Sequence, residues 1–187
     1  MINFNSFMEF LCGDFDNRAQ CRKEEEFGER IHPYAKHIIG KCNDKMLNLP
    51  LNFTGQFVIE ESYFDLGDQK IEKHYLFLYQ VANENIIKLT SYEIPVGIER
   101  EAFTNKNKQL QIDYQDLVVS PRFEPLELIE LNGAFFGENI SRFSVDTLFK
   151  FSLRVVRDKL YVKEVLERNG EKVAGFYEPT IYDKVVF

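Results

Sequence analysis

The chain has 187 residues, a formal net charge of −7 and a mean hydropathy of −0.31. That length suffices for one domain with a sizeable core, and a single domain over residues 1–187 is expected, since no linker, repeat or low-complexity tract interrupts it. The acidic balance argues against a nucleic-acid role built on phosphate contacts, and no apolar run approaches the ~18 residues of a membrane span.

Eighteen Phe and nine Tyr stand beside no Trp. Such an aromatic load suits strands, and it equally suits a cavity for a flat ligand. Cys12, Cys21 and Cys42 show no CxxC or His-flanked spacing, which argues against a zinc site and reads as free thiols in a reducing compartment. The start MINFNSFMEFLCGDF lacks the basic opening and long apolar run of a secretory signal. A cytoplasmic protein is expected, or one of the plastid stroma if a transit segment is missing.

In chain order, Phe4, Phe7, Phe10, Leu11 and Phe15 recur at steps of three and four, one apolar stripe on a helix. Asn5 or Ser6 is placed to cap it, and Asp16 to Glu26 suits a polar continuation beyond Gly13. YAKHIIG, residues 34 to 40, reads as a short strand.

The most regular stretch is 53–95. FTGQFVIEESYF, KHYLFLYQV and IIKLTSYEIP alternate with period two and are joined by DLGDQKIE and ANEN, which suit turns. This predicts a three-strand antiparallel meander. Between Val96 and Glu124 the periodicity fades, and an irregular connection is expected. LELIELN and AFFGENI then flank Asn132-Gly133, a strong hairpin signal. TLFKFSLRVV and KLYVKEVLER flank Arg157-Asp158, and Asn169-Gly170 leads into KVAGFYEP and IYDKVVF. Short strands at regular spacing after one helix predict a mostly β fold: an antiparallel, lipocalin-like (calycin) β-barrel of about nine to ten strands with an N-terminal α-helix. A two-sheet sandwich is the alternative.

Several stretches resemble the T-type phycobiliprotein lyases, the CpcT/CpeT family. FLCGDFDNRAQ is similar to that family's first helix, through Gly13, Asp14, Phe15, Asp16, Asn17 and Gln20. YAKHII, with His37, resembles its following strand. VIEESYF resembles its Glu-Gln-x-Tyr strand, with Glu60 and Tyr63 in place and Glu61 where Gln is usual. Where the family commonly has Tyr-Arg-x-Arg, suited to bilin propionates, this chain has His74, Tyr75, Leu76 and Phe77. The family's mid-chain Gly-Cys is likewise replaced near Leu126 to Leu128. The resemblance implies a calyx-shaped barrel that binds a phycobilin, an open-chain tetrapyrrole, and helps attach it to a cysteine of a phycobiliprotein β subunit. It also implies that the acceptor supplies the nucleophile, that no metal is needed, and that the protein forms a homodimer.

The residues themselves suggest a flat-ligand slot lined by Tyr63, Tyr75, Phe77, Tyr79 and Tyr92, with Glu61 or His74 as its polar anchor. Glu61 is the expected catalytic acid, since burial would raise its pKa. Adjacent Glu60 and Glu61 face opposite sides of a strand. Arg142 and Arg154 are the remaining cations for a propionate. Plain core packing for the aromatics and a satisfied strand histidine for His37 and His74 are the simpler alternatives. No Ser-His-Asp order, Gly-rich phosphate loop or HExxH appears.

Overall fold

The structure, a computed structural model, describes residues 2–186. The elements in order are α1 (Phe4–Leu11), β1 (Gly13–Asp16), α2 (Arg18–Glu26), β2 (Tyr34–Lys41), β3 (Met46–Leu47), β4 (Gln56–Asp65), β5 (Lys70–Asn83), β6 (Ile86–Tyr92), β7 (Ile112–Asp113), β8 (Leu126–Leu131), β9 (Ala134–Arg142), β10 (Thr147–Val156), β11 (Lys159–Arg168), β12 (Glu171–Gly175) and β13 (Thr180–Lys184).

Ten strands close on themselves: β1, β2, β4, β5, β6, β8, β9, β10, β11, β13 and back to β1, each pair antiparallel. The expected barrel is therefore present, and the sandwich is excluded by the β1–β13 and β10–β11 pairings that shut the ring. β12 extends one edge of β11 beyond the part that pairs with β13. The Asn-Gly hairpins form as expected, because Asn132, Gly133, Asn169 and Gly170 all take positive φ, the left-handed pair a tight two-residue turn requires.

α1 stops earlier than its apolar stripe suggests. Gly13 takes a φ of 146° and turns the chain into β1, so Phe15 belongs to a strand and points into the barrel, fully buried. The cap is Asn3 rather than the expected Asn5 or Ser6, and its side chain accepts the Ser6 N–H at 3.0 Å. Phe7, Met8 and Leu11 form the buried face of α1. They close one end of the barrel, with the Phe7 ring 5.2 Å from Tyr79 and 5.0 Å from Phe135. Each such side chain stabilises the fold by roughly 1.5–3 kcal/mol.

The irregular residues 93–125 lie on the outside of the wall. Phe103, Leu110 and Ile112 are buried there against Cys42, Phe57, Ile59, Leu76 and Leu78, and β7 pairs in parallel with β3. β4 is thus covered on both faces. That explains why Phe57, Val58 and Ile59 are all fully buried in sequence, an unbroken apolar run instead of a half-wet alternation. Among the described residues no helix is long and apolar enough to cross a membrane.

Candidate functional site

The register between β4 and β5 decides which side chains enter the barrel. Residues 66–69 form an even-length loop, so Asp65 sits opposite Lys70, Glu61 opposite His74 and Glu60 opposite Tyr75. Odd positions of β4 therefore share a face with even positions of β5. Val58 and Tyr79 belong to the inner core, which places Glu60, Ser62 and Phe64 with Lys73, Tyr75 and Phe77 inside. Glu61, Tyr63 and His74 lie outside. A β-bulge between Val81 and Asn83 then brings Tyr92 opposite Leu76, also outside.

The expected single slot is thus divided by the wall. Tyr75, Phe77 and Tyr79 face the interior, with Tyr79 packed against the α1 plug. Tyr92 packs edge-on against Phe57 at 5.6 Å in the outer core. Arg154 is exposed on the outer surface, its guanidinium 5.3 Å from the Tyr161 ring. Arg142 is also exposed and donates to the Val145 carbonyl.

Glu61 and His74 anchor the outer excursion. Glu61 accepts the Asn105 backbone N–H and side-chain amide, each at 2.8 Å, and the Tyr63 hydroxyl at 2.7 Å. Burial, reinforced by the Glu61 carboxylate, raises the Tyr63 phenol pKa. His74 faces acceptors with both ring nitrogens, the Arg100 carbonyl at 2.7 Å and Glu72 at 2.6 Å.

The chemistry inside lies at the end opposite α1. A cavity of about 290 Å³ opens there, lined among others by Ala35, Phe64, Lys73, Glu164, Phe176 and Tyr182. Beneath its lining the His37 Nδ1 lies 3.0 Å from Glu60 Oε1 and 2.9 Å from Ser62 Oγ, and Ser62 donates to the same Glu60 oxygen at 3.0 Å. The His37 ring stands edge-on to Tyr182 at 4.4 Å. His37 is 6% exposed, and its buried Nε2 has no partner among the described residues.

Glu164 enters this space from β11, with its carboxyl bordering the cavity. Glu164 keeps access to solvent through the cavity, yet its place among the barrel strands raises its pKa, the Glu60 charge raises it further, and His37 and Lys73 pull it partly back. No hydrogen bond contributes to that balance. Burial also pushes up the Tyr75 and Tyr182 phenols, and in both the Glu164 charge is the next largest cause. Tyr75 and Phe77 stack at 5.5 Å, and Phe149 and Phe151 stack at 6.1 Å on the inner face of β10. A solvent-accessible acid with a raised pKa in the lining of an aromatic-walled cavity is a candidate functional group.

The thiols stand apart from this cavity. Burial pushes Cys12 up to about 11 and Cys42 up to about 12, and also raises Cys21. All three are neutral thiols near pH 7. Among the described residues no cluster of three metal-ligating side chains forms.

Glu164, Lys73, Ser62 and Tyr182 are among the residues of the site that were not singled out from the sequence. Glu164 had a visible signal, because Leu160, Val162, Glu164 and Leu166 share one parity and place an acid on an apolar strand face. Of the adjacent acids, Glu60 is the inward one and Glu61 the outward one.

Fold and site together define a closed antiparallel β-barrel, plugged at one end and carrying an acidic, aromatic-walled cavity at the other. No family model, curated protein or solved structure matches the chain.

Proposed function

We propose that the open end of the barrel binds a phycobilin, an open-chain tetrapyrrole, and presents it to a cysteine of a phycobiliprotein β subunit, as a chaperone-like lyase. The observation that carries this reading is Glu164, an exposed carboxyl that lines an aromatic-walled cavity and has no side-chain hydrogen-bond partner among the described residues. Pyrrole nitrogens are donors, and a protonated bilin is a cation. A carboxylate facing the cavity offers both a strong acceptor and a compensating charge. The resemblance to the T-type lyases names the ligand class. A cavity of about 290 Å³ is at the small end of ligand sites, so it takes one end of a tetrapyrrole and leaves the remainder at the mouth for the acceptor. The chain's own thiols have raised pKa values, Cys21 and Cys42 being buried and Cys12 half-buried, which leaves the nucleophile to the acceptor.

The second reading is a carrier for another flat hydrophobic molecule, without transfer. It is favoured by the inner face of β5, where Lys73, Tyr75 and Phe77 supply no arginine fork for two propionates. Titration with phycocyanobilin and phycoerythrobilin tests both. Binding should shift the visible absorbance, and Glu164→Gln should weaken it about tenfold, the scale of one charge-assisted hydrogen bond. Adding a bilin-free phycobiliprotein β subunit should then give an adduct that survives denaturation. A spectral shift without an adduct selects carriage without transfer, and no shift with either bilin overturns the tetrapyrrole reading and leaves the carrier for another flat molecule.

A further inference from the structure

The outer wall of the barrel is covered in two sectors and bare in a third. Residues 93–125 pack over β4 and β5, and α2 packs against β13 and β2. The outward side chains of β8 and β9 reach solvent instead, and they are large and apolar. Ile129 is 46% exposed, Leu131 63%, Phe136 40% and Ile140 56%. The pairing register makes neighbours of them. One row across the wall reads Ile86, Ile129, Phe136, Arg154 and Tyr161, on β6, β8, β9, β10 and β11 in turn. Leu131 takes the next outward position of β8, beside Ile129. Apolar residues scattered singly on a surface are ordinary, whereas a contiguous group on one sheet face marks an interaction surface.

The charges beside this row select the occupant. Arg154 borders Phe136 on the β10 side, exposed and held over the Tyr161 ring at 5.3 Å. Glu127 and Glu138, both exposed, take the next outward positions on β8 and β9, opposite Lys88 and Ser152. A cation thus stands on one side of β9 and an acid on the other, diagonally across Phe136. A flank of one sign would call for a foreign partner of the other sign; this face carries both signs and matches itself. We propose that the β8–β9 face is an isologous contact between two copies of the chain. A two-fold axis lying in the contact plane and crossing β9 between Phe136 and Glu138 sets each Arg154 on the other copy's Glu127, and each Phe136 against the other copy's Ile129. The apolar row supplies the buried area, and the charge pairs fix the register. None of these residues lines the cavity, so the pairing stands apart from what the cavity binds.

Sedimentation velocity on the full chain, from about 1 to about 100 μM, reads the association. The parent should be a dimer over the upper part of that range. Phe136→Lys should raise the dissociation constant at least about thirtyfold, the scale of a central aromatic contact. Leu131→Lys, at a more exposed position, gives a second reading should Phe136→Lys disturb the fold, and circular dichroism checks the β-sheet signal of each variant. Arg154→Glu should weaken the dimer about tenfold or more, because the contact contains the change twice. Combining Arg154→Glu with Glu127→Arg in one chain should recover most of that loss, a rescue that only self-pairing of these two positions provides. A parent that is monomeric at every concentration overturns the proposal and leaves the face to a different protein. A dimer that survives both Lys variants in folded protein places the contact elsewhere. A double variant no tighter than Arg154→Glu alone overturns the two-fold register.

Discussion

Asn105 donates its backbone N–H and its side-chain amide to the same Glu61 oxygen, each at 2.8 Å. The amide also reaches the carbonyls of Ile38 and Ile59, 3.2 Å away in each case. It lies so close over Gly40 that a Cβ there would meet the Asn105 Oδ1 at 2.1 Å. One asparagine thus ties the irregular residues 93–125 to the outer wall across β2 and β4, and Glu61 is the acceptor that holds it.

Glu61→Ala should therefore act on stability and leave the cavity alone. Removing the carboxylate strands the Asn105 donors and the Tyr63 hydroxyl, at a cost of about 2–3 kcal/mol. Gly40→Ala should destabilise by a comparable amount, since Asn105 must move aside. Urea unfolding measures both. A Glu61→Ala protein as stable as the parent but unable to shift bilin absorbance would sink the assignment.

Glu164 predicts a pH dependence of the opposite sense. Its folded pKa is raised above the ordinary carboxylate value, so the folded state favours the protonated form. The stability it contributes is fully present below the unfolded pKa and is lost as pH rises through the folded one. Glu164→Gln removes that loss. The ligand-free variant should melt higher than the parent at neutral pH, with the gap closing as pH falls into the ordinary carboxylate range. Melting temperatures from pH 4 to 8 check this, and a gap that widens toward acid would contradict it.

The strands were legible where alternation was long. β5 and β10 announce themselves through Tyr75, Phe77 and Tyr79 and through Phe149, Phe151 and Leu153, and the Asn-Gly pairs mark the β8–β9 and β11–β12 hairpins. The site was less legible for a reason of register. Tyr63 and Tyr75 share odd numbers, but the even-length loop between β4 and β5 puts equal parities on opposite faces. β1 was hidden because Phe15 fits the helical spacing of Phe4, Phe7 and Leu11, and only the backbone of Gly13 reveals the break. The outer core was not legible, since Phe103, Leu110 and Ile112 fit neither a helical nor a strand period, and their burial depends on the β2–β5 surface they meet.

Phe7 tests the plug. It is fully buried against Tyr79 and Phe135, so Phe7→Ala should cost about 3–5 kcal/mol. Because α1 closes the end opposite the ligand cavity, bilin affinity read from the absorbance shift should change less than twofold in protein that remains folded. A large loss of affinity at unchanged stability would show that the two ends are coupled.

The thiols should be inert in the native state. With Cys12 pushed up to about 11 and Cys42 up to about 12, few thiolates exist at pH 8, and Cys42 is fully buried. Iodoacetamide should label Cys42 only as the protein unfolds, and its rate should rise sharply across the urea transition. Rapid native labelling of Cys42 would contradict its place in the outer core.

The two faces of β4 and β5 provide the sharpest comparison. Tyr75 and Phe77 stack on the inner wall near Glu164, whereas Tyr63 and Tyr92 belong to the outer face. Tyr75→Ala should weaken bilin binding about tenfold, since a stacked aromatic supplies both apolar area and a rigid surface for a flat ligand. Tyr92→Ala should lower stability by about 2–4 kcal/mol through the cavity it leaves beside Phe57, with little effect on affinity. Tyr63→Phe deletes only the bond to Glu61 and should cost about 1 kcal/mol. Absorbance titrations and urea unfolding on all three variants separate the effects. If Tyr92→Ala abolishes the spectral shift in protein that is still folded while Tyr75→Ala leaves it intact, the ligand lies beneath the 93–125 segment outside the barrel, and the cavity at Glu164 is not the binding site.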